Sequence, residues 1–290
     1  MNPATISAPF RRRCILALIF PLLFSLVTSS GCIFSRGGAS RQTIRVMTWN
    51  IHHAEGVDKK IDVDRIAQLI IEEKADIVAI QEVDRGAERS EKIDIITKLA
   101  DLTGLTYAFG KTVDYQGGDY GNALLTRFPI FEERNFLFKK FPEAEQRGVL
   151  LLVLGIAGEE IAVADTHLDS QGNDSLRVAG IVDLESILKG YSSRPTILCG
   201  DFNDIPSSRV VTQLKEAYLD AWELAGTWEG FTFPSDVPKK RTDYIFTSNF
   251  QKPDSTSTAV HLRPLSAHVV KSLASDHLPL LVEFEISTER

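Results

Sequence analysis

Short apolar runs alternate with helical patterns in the first part of the chain. A strand-like run covers Ile44–Asn50, and from 62 to 74 the apolar residues recur with the period of an α-helix. Asp62 stands directly before this pattern and is the expected N-cap. A buried-strand run follows at 75–84, and a second helix is predicted around Glu91–Thr103. This β-α-β-α order predicts the α/β class.

Strand-like runs dominate the rest of the chain. Ala157–Glu160 separates two of them and predicts a hairpin turn. No repeat or linker interrupts the region, so we predict one α/β domain over 44–288 that contains two sheets. The strand-like runs lie at 123–138, 147–169, 195–200, 243–248 and 278–286, and helices are predicted at 173–190, closed by Gly190, and near 207–216.

The first 31 residues have the pattern of a secretory signal peptide. Arg11–Arg13 precede an apolar run of fourteen residues, Cys14–Val27, which is shorter than the roughly 20 residues of a membrane-spanning helix. The following SSGC resembles the bacterial lipobox, whose Cys is lipidated; that residue is Cys32 here. Ser29 stands where that pattern favours Leu, so a signal cleaved without lipidation and an uncleaved anchor remain alternatives. Residues 32–43 then form a polar tether.

Charge and cysteine use fit an exported domain with an acidic surface. Residues 1–45 contain six Arg and no acidic residue, so the rest carries 26 basic and 39 acidic residues, a formal charge of −13. Non-specific attraction to nucleic-acid phosphates normally needs clustered Lys and Arg. Cys199 is the one cysteine beyond Cys32, so the folded part contains no intrachain disulfide and depends on its core. We expect a monomer.

Polar side chains stand at the ends of most predicted strands. Each alone has an ordinary explanation as a turn former, an Asx turn or a buried histidine. Together they indicate a site, because ligands of α/β folds bind beyond strand ends. Carboxylates, amides and His without thiols suit a hard cation such as Mg²⁺ or Mn²⁺. The residues are Asn50, Glu82, Asp165, His167, Asp201, Asn203, Asp243, Asp276 and His277. His52 and His53 either reach this site or lie on the surface.

Seven short motifs resemble the endonuclease/exonuclease/phosphatase (DNase I-like) family of metal-dependent phosphoesterases. They are NIHH, QEVD, GNALLTR, THLD, GDFND, DYIF and SDH, in the family's order, and the resemblance covers about Arg45–Ile286. It implies a four-layer α/β sandwich, in which two packed mixed sheets are flanked by helices and strand ends of both sheets meet at one cleft.

The same resemblance implies a metal site and a substrate contact. Glu82 is then the principal Mg²⁺ ligand, with Asn50 and Asp276 completing or orienting the site. Asn122 in GNALLTR and Arg147 are candidate substrate contacts, although either could equally fix a loop.

Catalytic roles follow from the remaining motifs in the same way. Asp201 orients and deprotonates the attacking water, and Asn203 binds water or phosphate. His277, paired with Asp243, stabilises the charged phosphoryl transition state, and His167 contacts a phosphate oxygen or assists the leaving group. Such a site supplies positive charge where negative charge grows during the reaction.

The expected function is therefore that of an exported Mg²⁺-dependent phosphoesterase, favouring a phosphodiesterase acting on a small or lipid-linked substrate, with a membrane contact through the lipid anchor. The alternative is an exported nuclease, for which a basic rim could form from Arg127, Arg134, Lys139, Lys140 and Arg147. A continuous basic stripe would favour the nuclease, and a narrow pocket would favour small substrates. A non-catalytic binding lipoprotein is the third hypothesis. Loss of site residues would support it, and no core motif position is missing.

Overall fold

A computed structural model describes residues 41–248 and 259–289. The predicted signal peptide (1–31) and Cys32 lie outside the described residues. The first strand begins at Arg41, so the last three residues of the predicted tether are part of the folded domain. No helix within the described ranges combines the length and the apolar character needed to cross a bilayer.

The described residues form two mixed sheets and the helices that flank them. The strands are β1 (Arg41–Asn50), β2 (Ile77–Arg85), β3 (Thr106–Tyr115), β4 (Gly118–Thr126), β5 (Ile130–Leu137), β6 (Gly148–Ile156), β7 (Glu159–His167), β8 (Thr196–Asp201), β9 (Tyr218–Asp220), β10 (Asp243–Ser248), β11 (Ala259–Val269) and β12 (Leu280–Glu289). The helices are α1 (Val63–Glu72), α2 (Ile95–Thr103), α3 (Ser175–Lys189), α4 (Arg209–Leu214) and α5 (Ala221–Ala225).

Each sheet has six strands and a single parallel pair near its middle. The first sheet has the order β11-β12-β1-β2-β4-β3, and the second has the order β5-β6-β7-β8-β10-β9. The parallel pairs are β1 with β2 and β7 with β8, and all other pairings are antiparallel. Because parallel strands end at the same edge of a sheet, each pair carries two carboxyl-terminal ends to one place.

Four layers follow from the alternation of side chains along the strands. On β1, Val46 points into the core between the sheets, where it joins Leu152 and Val163 of the second sheet. Its neighbour Met47 points the other way, into the layer formed by α1 and α2, since successive strand residues face opposite sides. Helices α3 and α4 cover the outer face of the second sheet in the same manner. The predicted four-layer sandwich is confirmed.

Local predictions hold where a capping residue or turn residue defines them. The Asp62 side chain caps α1 by accepting a hydrogen bond from the Arg65 amide at 3.1 Å, as predicted. The second helix begins later than predicted, at Ile95, with Asp94 as its cap. Glu91 and Lys92 have φ values of 57° and 59°, which lie outside the helical region, so a helix cannot start there.

Candidate active site

Strand ends of both sheets open onto one cleft of about 320 Å³. Seven of the predicted site residues line it: Asn50, Glu82, His167, Asp201, Asn203, Asp276 and His277, together with the candidate substrate contact Arg147. The fold thus gathers side chains from positions 50 to 277 into one pocket, as the resemblance implied. The chemical roles of these residues stay predictions.

The first sheet contributes Asn50 at the end of β1 and Glu82 on β2. Asn50 Nδ2 donates to Glu82 Oε1 at 3.0 Å and to Asp201 Oδ2 at 3.1 Å, so one amide joins a carboxylate of each sheet. Glu82 has a φ of 59° at the point where the β2–β4 register shifts between Ile80 and Val83. A non-glycine residue in this region is uncommon, and such strain is concentrated at functional sites.

The second sheet contributes three side chains that stand side by side. His167 is opposite Asp201 in the β7–β8 pairing, and Asp201 is opposite Asp243 in the β8–β10 pairing. Asp201 is 1% exposed, and its Oδ2 lies 3.6 Å from Nε2 of both His167 and His277. Burial, reinforced by the nearby Asp243 carboxylate, raises the pKa of Asp201 above its ordinary value. A carboxylate in such surroundings is a stronger base than one in water.

His277 is held by a buried carboxylate on its far side from Asp201. Its Nδ1 lies 2.9 Å from Asp243 Oδ2, which also accepts hydrogen bonds from the hydroxyls of Thr232 at 2.5 Å and Thr242 at 3.1 Å. Burial alone would lower the pKa of His277, but the Asp243 and Asp201 carboxylates outweigh it and raise that pKa. The ring is therefore held as an imidazolium that faces the cleft.

The loop that carries Asp276 and His277 is fixed to the first sheet. Ser275 is fully buried, and its Oγ donates to the Asn50 carbonyl at 2.7 Å and accepts from the His277 amide at 3.2 Å. The Trp49 indole donates to the His277 carbonyl at 3.0 Å, and the Phe233 ring lies 4.7 Å from the imidazole. The His277 imidazole contacts carboxylates of the second sheet, and its backbone is held by hydrogen bonds to Trp49 and, through Ser275, to Asn50 of the first sheet.

His167 is buried and hydrogen-bonded to Asn203. Asn203 Nδ2 donates to His167 Nε2 and to the Leu168 carbonyl, both at 3.0 Å. Burial lowers the pKa of His167 well below its ordinary value, and the charges of Arg147 and His277 lower it further. Because Nε2 accepts from Asn203, the ring proton lies on Nδ1. Asn203 itself has a φ of 51°, in the left-handed region that Asn tolerates better than most residues.

Two residues with functional interpretations lie behind the cleft wall. Asn122 is 3% exposed, does not line the cleft, and makes only long contacts of 3.4 Å with the Gly148 and Asp165 carbonyls. Asp165 is fully buried between the sheets, where its Oδ1 accepts from Gln81 Nε2 at 2.5 Å. Of the two interpretations open for Asn122, the geometry matches a packing role.

The donors around Glu82 fit a hard divalent cation. Carboxylate oxygens of Glu82 and Asp276 and the amide of Asn50 face the same cleft, and Mg²⁺ prefers oxygen ligands from one or two carboxylates. Asn50 as placed here directs its NH₂ group at the carboxylates and its oxygen at the His52 amide, so it orients the site. Potential ligand atoms of His52, His53 and Glu82 also lie within 4.8 Å of one another, as do those of Asp201, Asp243 and His277.

Sequence reasoning missed one wall of the cleft, formed by Arg89, Tyr115, Tyr120 and Glu145. Tyr115 and Tyr120 flank the turn between β3 and β4, and a turn signal at Gln116–Gly117 could have placed them together. Nothing local marks Arg89, because its position depends on a contact with Asp84 that forms only in the fold.

The basic rim considered for a nuclease does not form as one stripe. Arg127 follows β4 at the end that pairs with the start of β2, where it forms an ion pair with Asp76. Asp76 and Glu82 are six positions apart along the chain, which corresponds to about 20 Å in a strand. Arg134 contacts Glu132, and Arg147 contacts Glu145 within the cleft at 2.9 Å.

Comparisons with known proteins agree with this geometry. The family model described as Endonuclease/Exonuclease/phosphatase family matches residues 47–277. The uncharacterized protein YbhP of Escherichia coli K12 is 29% identical over 259 residues, covering 84% of this chain and 97% of that protein.

Solved structures share the fold at lower identity. The mannosyl-6-phosphatase of Bacteroides thetaiotaomicron superposes with a TM-score of 0.67 at 19% identity, covering 83% of this chain and 99% of that one. The human Nocturnin catalytic domain with bound sulfate anion superposes with a TM-score of 0.66 at 23% identity, covering 86% and 97%. The resemblance seen in the motifs is confirmed: the chain belongs to the endonuclease/exonuclease/phosphatase family, whose members are hydrolases acting on phosphoesters.

Proposed function

We propose that the protein is an exported, Mg²⁺-dependent phosphodiesterase that acts on a small or lipid-linked substrate by attack of water. One observation carries the proposal: Glu82 of the first sheet and Asp201 of the second face the same cleft and share the Asn50 amide at 3.0 and 3.1 Å. Glu82, which would hold a divalent ion, and the basic carboxylate of Asp201 are thereby kept at a fixed separation.

The chain's own groups divide the work of hydrolysis. Asp201 accepts a proton from the attacking water, and burial favours this because it raises the pKa of the carboxyl. The His277 imidazolium donates to a phosphoryl oxygen as charge develops there, and Asp243 keeps it protonated and oriented. Neutral His167 and Asn203 also line the cleft beside Asp201, where the Asn203 amide oxygen accepts a hydrogen bond from bound water.

Mg²⁺, or Mn²⁺ in its place, would be held by Glu82 and Asp276, with Asn50 orienting the Glu82 carboxylate, and would supply Lewis-acid stabilisation of the phosphoryl oxygens. The surrounding residues fix its ligands without it. The Ser275 hydroxyl holds the Asn50 backbone and the start of the loop that carries Asp276.

The shape of the cleft favours a small substrate over a nucleic-acid duplex. A volume of about 320 Å³ suits a head group or sugar, and Arg127 lies at the other end of the sheet. The name of the Bacteroides thetaiotaomicron neighbour, a mannosyl-6-phosphatase, places sugar phosphates among the substrates to test.

A substrate panel tests the proposal. Purified protein lacking residues 1–31 is assayed against bis(p-nitrophenyl) phosphate, p-nitrophenyl phosphate, sphingomyelin, inositol phosphates, sugar phosphates, single-stranded DNA and RNA. We expect hydrolysis of a small or lipid-linked ester that EDTA abolishes and Mg²⁺ or Mn²⁺ restores. Hydrolysis of nucleic acid alone would favour the nuclease, and turnover unaffected by EDTA would contradict the metal requirement.

We also propose that Cys32 is lipidated and anchors the exported domain to a membrane surface. The supporting features are the basic and apolar leader and the SSGC ending. Labelling with radioactive palmitate in a bacterial host tests this, with Cys32→Ala as the variant and Cys14→Ala as the matched control. Label should be lost from the first and kept by the second. Loss in neither variant would refute lipidation at Cys32.

A further inference from the structure

One end of the cleft is built from groups that the proposed reaction does not use. Arg89, Tyr115, Tyr120 and Glu145 line it together with Arg147, which contacts Glu145 and Tyr120. We call these five residues the arginine end of the cleft. Hydrolysis of a simple phosphoester needs positive charge at the reacting phosphate, which His277 and a divalent ion provide, so a second pair of cations requires another explanation.

Arg89 is held in place by a buried carboxylate. Its Nε and Nη2 donate to the two oxygens of Asp84, each at 2.8 Å, and Asp84 is fully buried. The Arg89 amide also donates to Gln116 Oε1 at 2.8 Å. A bidentate contact of this kind fixes the plane of the guanidinium and leaves its outer edge pointing away from Asp84.

Two aromatic rings complete the setting of Arg89. The guanidinium carbon lies 4.3 Å from the centroid of Tyr115 and 5.3 Å from that of Tyr120. Among contacts between described residues, Arg89 Nη1 makes no hydrogen bond, and the side chain keeps 25% of its exposure. The unused N–H groups therefore lie at the cleft surface, beside rings that can pack against a ligand.

Arg147 links this end to the reacting centre. It lies close enough to His167 to lower the pKa of that imidazole, and its Nη1 lies 2.9 Å from Glu145. Its Nε is buried without a hydrogen-bond partner among the described residues. Asp84 follows Glu82 by two residues on β2, a distance of about 7 Å along a strand. Arg89, which is bound to Asp84, therefore faces the same cleft as the proposed phosphoester site at Glu82.

We propose that the arginine end binds a second anionic group of the substrate, a phosphate or a carboxylate, through the free edge of Arg89. The inference rests on the proposed function, since it places the reacting phosphate at Glu82 and Asp201. Arg147 contacts the part of the substrate between its two anionic groups, and Tyr115 packs against the connecting ring or chain. The proposed substrates are thus small phosphoesters that carry a second anionic group in addition to the reacting phosphate.

Arg85, on strand β2, makes a similar ion pair and ring contact outside the cleft and serves as a comparison. Arg85 Nε donates to both oxygens of Asp94, at 3.2 and 3.1 Å, and its Nη2 donates to Asp94 Oδ2 at 2.8 Å. Its guanidinium carbon lies 5.1 Å from the Phe109 centroid. It does not line the cleft. Arg85 therefore makes the same kinds of contact as Arg89, namely a bidentate ion pair and a ring contact, but it has no access to the cleft.

Calorimetry on an inactive background tests the proposal. Asp201→Asn protein in Mg²⁺ is titrated with glucose 6-phosphate, fructose 1,6-bisphosphate and 6-phosphogluconate, which carry one phosphate, two phosphates, and a phosphate with a carboxylate. We expect at least one of the two probes with a second anionic group to bind about tenfold or more tightly than glucose 6-phosphate. Equal affinities for all three, or binding of none, would overturn the proposal.

Variants then assign the effect to Arg89. Arg89→Gln should reduce the preference for the second anion to about one while leaving the affinity for glucose 6-phosphate nearly unchanged, and Arg89→Lys should keep part of it. Arg85→Gln, the matched control, should keep all of it. Equal weakening of every probe in Arg89→Gln would mean that Arg89 only supports the fold. Binding ratios do not depend on turnover, so failure of the hydrolysis panel and failure of this inference are separate results.

Discussion

The two sheets have the same plan and deliver different chemistry. Each has six strands with one central parallel pair, and each directs the carboxyl ends of that pair at the cleft. The first sheet presents Glu82 and Asn50, a partly exposed carboxylate and an amide that suit a cation. The second presents Asp201 and His167, both buried, whose pKa values are shifted in opposite directions by burial. Burial at the strand end, more than topology, would then distinguish the proposed metal site from the proposed proton-transfer site.

Replacing Asp201 with Asn should have the largest effect on turnover. The variant keeps the side-chain shape and loses the base, so kcat should fall by about 10³-fold or more. Added Mg²⁺ should not restore it, because the proposed ion site is at Glu82 of the first sheet. Steady-state kinetics over a range of Mg²⁺ concentrations measures both effects. Recovery of activity at high Mg²⁺ would show that Asp201 acts as a metal ligand instead.

Replacing Glu82 with Gln should produce the opposite pattern. We expect metal binding to weaken by about 100-fold, and kcat to recover substantially when Mg²⁺ or Mn²⁺ is raised. Titration of Mn²⁺ followed by electron paramagnetic resonance measures the affinity without any substrate. If the affinity for Mn²⁺ is unchanged, Glu82 is not the principal ligand and the division between the sheets is wrong.

Replacing Asp243 with Asn tests how the second sheet controls His277. The Asp243 carboxylate is the largest of the influences that raise the pKa of His277, so its loss should lower that pKa. The alkaline side of the pH–rate profile should move to lower pH, since the imidazolium then loses its proton earlier. We expect kcat at neutral pH to fall by about ten- to a hundredfold. An unmoved alkaline side would indicate that His277 acts as a neutral group.

Replacing Asp165 with Asn should leave catalysis intact and change stability. Burial raises the pKa of Asp165 well above its unfolded value, so its stabilising contribution is fully present below about pH 4 and is lost as pH rises from there through the folded pKa. The amide introduced by Asp165→Asn stays neutral at every pH and can still accept from Gln81. The variant should be about 1 kcal/mol or more stable than the wild type at pH 8, with a smaller difference at pH 5. Urea denaturation at both pH values measures this, and equal slopes with pH would argue against a buried neutral acid.

Central strands and their polar ends could be predicted from sequence because the signals are local. The run Ile77–Ile80 is fully buried, and Glu82, two residues beyond it, is the first residue of β2 that is partly exposed. The edge strands of the first sheet, β3 and β11, could not be predicted so readily. β3 is largely half-buried or exposed, and β11 contains Pro264 beside a register shift, so neither has the apolar pattern of an interior strand.

Site residues divide along a similar line. Asp201 and Asn203 follow a buried strand directly and were predicted, whereas Arg89 lies in a loop whose course depends on its ion pair with Asp84. Asn122 shows the limit of a motif: GNALLTR left substrate contact and a loop-fixing role open, and the pairing of β4 with β2 and β3 turns the Asn122 side chain under the cleft wall. Sequence patterns indicate where strands end, and ion pairs that form only in the fold decide which side chains then face the cleft.

The Asn50 amide between Glu82 and Asp201 also has a consequence for assembly. The two carboxylates are 119 positions apart in the chain and belong to layers that meet only when the domain is complete. Neither half of the polypeptide can therefore be active alone, and hydrolysis becomes a readout of correct docking of the two halves. A version divided at the Ala157–Gly158 turn would be silent as separate fragments and would regain turnover only on reassociation.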